Sequence, residues 1–310
     1  MTAKDAERAG GLLRLALSLL LLGVTLYVVG ADALVRRVAT LDPGLAAVVV
    51  ALCLLQFPLL AARWWLFARW LDVPLGYRQA LGEYTLSTLL NQLLPLGVMG
   101  DVMRIARHSV QVGRERPGEL APGRVLLAVV LERASGQLAL WLWVLAVAPG
   151  WWRLLPDAAR AALLIALVAL GLALLWFGRR RLRTGILALL SPRRLLVHLP
   201  LSLALVALHV AAFALVAQAL GFALPPATAV RVVPPLLVAT TLPGFFAGWG
   251  VREAAAAGLY ALSGLAPAEG AVVSMTWAGL GLLASTPGAW FWLRSSKALA
   301  QGNTTSASAR

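Results

Sequence analysis

Long stretches without a charged residue constrain this chain more than any other feature. Six of them reach the roughly 17 to 25 residues that a helix needs to cross a bilayer core of about 30 Å. They are Leu15–Ala31, Pro43–Ala62, Ala134–Trp152, Ala161–Gly178, Leu195–Val230 and Gly270–Leu293. Charged residues make up only 13% of the chain, against roughly 25% in a soluble domain. We therefore predict an all-α polytopic membrane protein in which these stretches are full transmembrane helices.

Three further apolar stretches are too short or too interrupted to count as full crossings. They are Tyr84–Gly100, Val232–Val251 and Ala254–Ala268. Prolines interrupt the second, and about 12 helical residues cover only about 18 Å. Irregular backbone is tolerated at membrane depth where it is buried in protein or lines a watery cavity. We predict two oppositely oriented re-entrant helical hairpins, an arrangement that allows an inverted-repeat architecture. Two short spans remain the alternative for Val232–Ala268.

The net charge of +14 comes from basic residues that lie between the apolar spans and do not form one soluble face. This distribution follows the positive-inside rule and argues against nucleic acid as a partner. It places both termini in the cytoplasm and Arg63 on the cytoplasmic side. We predict a multi-pass protein of the cell membrane, with a single integral membrane domain over residues 1–294. Residues 295–310 are expected to form a short disordered cytoplasmic tail.

Two broken segments repeat one order of residues, which is a Leu-Pro pair, then glycines, then an arginine with an acidic neighbour. The first runs from Leu94 to Arg104 and the second from Leu242 to Glu253. Breaks of this kind free backbone N–H groups, which contact anions at glycines and helix starts. The residues expected to shape the breaks are Asn91, Pro95, Gly97, Gly100, Pro243, Gly244, Gly248 and Gly250. Of these, Asn91 is expected to satisfy freed backbone groups.

The third span starts earlier, with the apolar Val125–Leu131, and therefore contains two charged residues, Glu132 and Arg133. Each costs roughly 2.5 to 3.5 kcal/mol at the centre of a membrane helix. Because neighbours in sequence point about 100° apart on a helix, both need partners on other segments. We predict a polar cavity in which planar guanidinium groups hold a phosphate and carboxylates orient them. The predicted substrate-binding residues are Asp101, Arg104, Glu132, Arg133, Arg252 and Glu253. The alternative is that buried pairs, such as Glu132 with Arg252, only join helices.

Neither a metal site nor a cofactor is expected. Three scattered histidines and a single cysteine do not provide a ligand set. The sequence contains no G-x-x-x-x-G-K-[ST] loop and no G-x-S-x-G elbow, so no nucleotide-driven pump and no catalytic residue is assigned. We expect His209 to pack between helices and Glu83, at the mouth of the first hairpin, to be solvated.

Three motifs follow one another along the chain. They are Asn91–Arg104, in the order N-x3-P-x4-G-D-x2-R, then Leu131–Gly136, then Gly248–Glu253. Together they resemble the transmembrane region of lysylphosphatidylglycerol synthases, a family also described as flippase-like integral membrane proteins. The resemblance implies a bacterial or archaeal polytopic membrane protein. In the fused members, this region carries aminoacylated phospholipid from the inner to the outer leaflet. Lipid aminoacylation itself is not carried over, because the motifs do not include the soluble aminoacyl-transfer domain.

The leading hypothesis is a lipid translocator that moves an anionic or phosphate-containing headgroup between leaflets through a central polar cavity. One alternative is a membrane-embedded transferase acting on a lipid or polyprenyl-phosphate carrier, with Asp101 or Glu132 as base. Another is a non-catalytic partner of a separate lipid-synthesising enzyme. The expected partners are the bilayer and a phospholipid or lipid-linked headgroup, and the oligomeric state stays open.

Overall fold

The computed structural model describes residue 23 and residues 36–94, 97–115, 122–152, 157, 160, 191–241 and 250–293. These residues form helices joined by turns, which confirms the all-α fold class. The helices are α1 (Pro43–Trp70), α2 (Tyr77–Leu93), α3 (Met99–Glu115), α4 (Pro122–Trp152), α5 (Pro192–Ala219), α6 (Pro226–Thr241), α7 (Val251–Leu262) and α8 (Pro267–Ser285). The predicted span Ala161–Gly178, nearly all of Leu15–Ala31 and the predicted tail lie outside the described residues.

Prolines mark where most of these helices begin. Among the helices described, α1, α4, α5, α6 and α8 each start at a proline. The first turn suits proline because its fixed φ is helical and its missing N–H would have no partner there. In front of α1, the Asp42 side chain accepts a hydrogen bond from the N–H of Leu45 at 2.9 Å. The start of α1 is therefore set by a proline and a side-chain cap together.

Three described helices are long and apolar enough to cross a membrane, namely α1, the Gly123–Gly150 part of α4, and α5. Each of these segments has 28 residues. At 1.5 Å per residue this is about 42 Å, more than the roughly 30 Å of a hydrocarbon core. Large apolar side chains such as Leu54, Leu145 and Leu196 are exposed on their outer surfaces, as lipid-facing positions require.

The predicted span Leu195–Val230 is wrong as a single helix. In the structure, α5 ends at Ala219 and α6 begins at Pro226. Between them Gly221 has a φ of +75°, a left-handed conformation that ends a helix and favours glycine. The apolar stretch was long because two helices follow each other with no charged residue in their connection.

The prolines in α6 do not interrupt it, contrary to the expectation from sequence. Pro234 and Pro235 lie inside a helix that continues to Thr241. The adjoining Val232, Val233 and Leu236 are completely buried. Packing on neighbouring helices stabilises this helix in spite of the missing backbone donors, as is common for proline in membrane helices.

The main core lies between α1, α5, α6, α7 and α8. At its centre the ring of Phe213 lies 5.7 Å from that of Trp277 and 6.4 Å from that of Tyr260. The rings meet at steep angles, the edge-to-face arrangement that aromatic pairs prefer. His209, one turn before Phe213, contacts the Leu205 carbonyl at 2.6 Å and lies edge-on to Trp277. This is the packing role expected of His209.

The hairpin of α2 and α3 lies beside this core. α2 packs against α1, α3 and α8, and α3 packs against α2 and α4. Gly288, just after α8, allows a close approach to α2, since a Cβ there would lie 2.7 Å from the Cα of Leu86. α2 is therefore held on one side by the segment around Gly288 and on the other by α3.

Candidate functional site

The first break separates α2 from α3, and polar contacts join the start of α3 to α2. Gly97 has a φ of +62°, which favours glycine. Gly100 packs so closely on α2 that a Cβ would lie 2.1 Å from the Ser87 carbonyl oxygen. The Gly100 N–H donates to Asn91 Oδ1 at 2.8 Å, so Asn91 satisfies a backbone donor at the start of α3, as predicted. Pro95 lies outside the described residues.

Asp101, in the first turn of α3, accepts hydrogen bonds from three helices. Ser87 and Asn91 of α2 donate to it at 3.1 and 3.2 Å. Arg104 of α3 donates at 2.9 Å and Arg133 of α4 at 2.5 Å. Hydrogen bonds between ionised partners are the stronger kind, so two of these four contacts are charge-assisted. Asp101 therefore connects α2, α3 and α4 at the point where the backbone is broken.

Glu132 is completely buried, and its partner is Arg63 of α1. The Arg63 Nε donates to Glu132 Oε1 at 2.9 Å, and the Arg63 Nη2 makes a second contact with the same oxygen. The Tyr84 hydroxyl donates to that oxygen at 3.2 Å. Arg63 also donates through Nη1 to Ser202 on α5 at 3.3 Å. This one carboxylate thus links α1, α2 and α4, and its arginine extends the link to α5.

Arg63 is the site residue that the sequence analysis missed. The end of the predicted span at Ala62 is wrong, because α1 continues beyond Arg63 to Trp70 and Arg63 is only 5% exposed. The available signal was the apolar run Trp64–Ala68, which extends the helix past the first charge. Gly136 on α4 makes room for the guanidinium group, since a Cβ there would lie 2.9 Å from Arg63 Nη1.

Arg104 is the second buried arginine. Its guanidinium carbon lies 4.4 Å from the centroids of both the Trp64 and the Tyr84 rings. Its Nη2 lies 2.9 Å from Asp101 and 3.5 Å from Glu132 Oε2. Its Nε and Nη1 have no hydrogen-bond partner among the described residues. Cation–π attraction to two rings therefore contributes to holding a charge that is only partly hydrogen-bonded.

Arg133 is the accessible arginine of the site. Its side chain is 43% exposed, whereas those of Arg63 and Arg104 are 6% and 0% exposed. Its guanidinium group binds Asp101 and lies 5.7 Å from the Tyr84 ring. We call Arg63, Asp101, Arg104, Glu132 and Arg133 the charge network. Its three arginines exceed its two carboxylates, so the network carries one excess positive charge.

A further ion pair lies on the same hairpin. Glu83 of α2 is 6% exposed and pairs with Arg107 of α3 at 3.0 Å. The expectation that Glu83 is solvated is therefore wrong. The close packing of α2 on α3 covers this carboxylate and supplies its counter-charge.

The second break ends at Gly250, which has a φ of +85°. Its N–H donates to Glu253 Oε2 at 2.5 Å, and Arg252 donates to Glu253 Oε1 at 2.8 and 3.0 Å. Ser274 of α8 reaches the same oxygen at 3.4 Å. Pro243, Gly244 and Gly248 lie outside the described residues. The meeting of this break with the first in one cavity stays a prediction.

The comparisons with known proteins bear on what this arrangement does. A family model described as lysylphosphatidylglycerol synthase TM region matches residues 11–288. The chain belongs to this family. The match includes every helix described above, and membership confirms the resemblance of the three motifs and indicates a membrane function related to lipids. No curated protein and no solved structure shows significant similarity to the chain.

Proposed function

We propose that this protein is a lipid translocator of the cell membrane, moving an anionic or phosphate-containing headgroup between leaflets along a polar path at the first break. The observation that carries the proposal is the charge network, a positively charged cluster whose accessible arginine is Arg133. A cation at membrane depth is costly, and it marks substrate or ion pathways far more often than plain packing. Membership of a lipid-related membrane family supports the same direction.

In this proposal Arg133 contacts the lipid phosphate directly. Its planar guanidinium group offers several N–H donors in a fixed geometry that matches two phosphate oxygens at once. Asp101 holds the group in place from one side and keeps three other donors, from Ser87, Asn91 and Arg104. A phosphate that replaces Asp101 at Arg133 therefore does not leave this carboxylate without partners.

The buried part of the network acts as the support. Arg63 and Tyr84 both donate to Glu132 Oε1, and Glu132 is completely buried. A general base must come within hydrogen-bond reach of the proton that it takes. The burial of Glu132 therefore favours translocation over a transferase in which Glu132 is the base.

We propose that the second break is also part of the path. The proposed orientation of the chain follows the positive-inside rule. Arg252 contributes positive potential next to Glu253, which holds it. Both termini are cytoplasmic, residues 1–294 form one membrane domain and residues 295–310 a tail. A phospholipid and the bilayer are the proposed partners, and a separate lipid-synthesising enzyme supplies the substrate.

The test is lipid exchange in proteoliposomes that contain fluorescently labelled phosphatidylglycerol, normalised to the amount of folded protein. We expect Arg133→Ala to slow exchange about 10- to 100-fold, because a hydrogen bond to a charged group contributes about 1.5 to 3 kcal/mol. Arg133→Lys keeps the charge but lacks the planar guanidinium group, so its exchange rate is expected to lie between those of the wild type and Arg133→Ala. Arg78→Ala, at an exposed position near the start of α2, is the matched control and should exchange at the wild-type rate. Wild-type exchange in Arg133→Ala would falsify the assignment.

A further inference from the structure

A groove of about 440 Å³ lies between the end of α4 and the start of α6, away from the charge network. Its walls are mostly apolar and include Val147 and Pro149 from α4 and Ala227 and Val230 from α6. One charged side chain, Arg231, also lines it. The groove thus combines an apolar surface with a single cation.

Arg231 lies beside Gly150 of α4. A Cβ on Gly150 would lie 3.5 Å from Arg231 Nε and 3.7 Å from its Cδ and Cζ, which are ordinary van der Waals distances. The guanidinium group therefore lies next to α4 at this glycine while the side chain stays exposed. This contact places the cation at the edge of the apolar groove.

The groove lies near the opposite end of α4 from the charge network. Gly150 follows Arg133 by enough residues to lie about 25 Å further along the helix axis. Trp151 and Trp152 come directly after it and end the helix. Tryptophan is enriched where membrane helices meet the headgroup region, so the sequence predicts a membrane interface at this end of α4.

We infer that the groove binds an anionic phospholipid, with an acyl chain against its apolar walls and the phosphate at Arg231. The apolar walls are largely exposed and match a hydrocarbon chain, whereas a soluble anion gains nothing from them. Arginine at headgroup depth matches a lipid phosphate in charge and geometry. This site is separate from the proposed path and does not depend on transport.

The experiment is native mass spectrometry of the full chain in detergent, titrated with palmitoyl-oleoyl phosphatidylglycerol or with the matching phosphatidylcholine. For Arg231→Gln we expect the apparent affinity for one phosphatidylglycerol to fall about fivefold, the effect of one basic residue near anionic lipid. Binding of phosphatidylcholine should not change. Ala227→Trp, which fills the groove, should weaken binding of both lipids, because it removes the space for the chain.

Arg160→Gln is the matched control, because Arg160 follows the same end of α4, pairs with Asp157 at 3.1 Å and does not line the groove. It should bind both lipids as the wild type does. Wild-type binding of phosphatidylglycerol by Arg231→Gln, or an equal loss in Arg160→Gln, would overturn the inference. Full phosphatidylglycerol binding by Ala227→Trp alongside a loss in Arg231→Gln would also overturn it, in favour of a soluble anion. Arg133→Ala should keep the Arg231-dependent binding, so a failure of the transport proposal is distinguishable from a failure of this one.

Discussion

The two breaks of this chain use the same residue types in different ways. In each, a glycine with positive φ comes shortly before a helix, at +62° for Gly97 before α3 and +85° for Gly250 before α7. In each, a carboxylate lies in the first turn of that helix, Asp101 in α3 and Glu253 in α7. Both breaks therefore place an acid at a helix start, where negative charge is favourable.

The difference lies in what each carboxylate binds. Glu253 accepts the N–H of Gly250 and the guanidinium group of Arg252, so its strongest contacts are within its own helix start. Asp101 accepts instead from side chains of α2, α3 and α4. One acid caps a helix, and the other connects helices beside an exposed arginine. The two motifs therefore share a glycine with positive φ and an acid in the first helical turn, but their carboxylates bind different groups.

The largest loss of stability is expected from removing Arg63, which supports the first break through Glu132. Arg63→Ala leaves Glu132 buried without its main partner, and breaking a buried ion pair costs about 3 to 5 kcal/mol. Sodium dodecyl sulfate titration in mixed micelles, followed by tryptophan fluorescence, gives the free energy of unfolding. The exposed Arg78→Ala serves as the control and should stay within about 0.5 kcal/mol of wild type. A loss below about 1 kcal/mol for Arg63→Ala would show that the network does not stabilise the first break.

The next effect concerns the close approach of α3 to α2. Gly100→Ala places a methyl group against the Ser87 carbonyl, and overpacking of this kind costs about 1 to 3 kcal/mol. Gly113→Ala is a matched control on the same helix, since a Cβ there meets nothing within 4 Å. It should be neutral or slightly stabilising, because alanine favours a helix over glycine. Equal unfolding free energies for the two variants would contradict the tight contact at the first break.

Sequence reasoning found the first break because its signals are local. The sequence Leu94-Pro95 with Gly97 predicts the end of one helix, and Asn91 is close enough in sequence to meet the start of the next. The pair of Asp101 with Arg104 is also local, at three residues' separation along one helix. Apolar length alone indicated α1, α4 and α5, because crossing a bilayer sets a minimum number of residues.

The features that the sequence did not predict depend mostly on contacts between residues that are far apart in the chain. Nothing near Arg63 indicates that Glu132, 69 positions away, is its partner. The connection at Gly221 has no charge, so counting apolar residues joined two helices into one. The continuity of α6 through Pro234 depends on buried neighbours that composition does not reveal. Tertiary contacts overrode local preference at Arg63 and Pro234, whereas Gly221 is itself a local stop signal that counting apolar residues passed over.

The smallest loss of stability is expected for variants of Glu253, which test whether this side chain caps α7. Glu253→Gln removes the charge but keeps an oxygen for the Gly250 N–H, so we expect a loss of about 1 kcal/mol. Glu253→Ala removes the cap as well, and the loss should rise to about 2 kcal/mol, since a missing cap typically costs about 1 kcal/mol. Glu269→Gln, also in the first turn of a helix, is the control for charge near a helix start and should cost less than about 1 kcal/mol. Equal losses for the Gln and Ala variants, measured in the same micelle titration, would mean that Glu253 works only through Arg252. The second break would then depend on its ion pair, as the first does, and the contrast between the two would disappear.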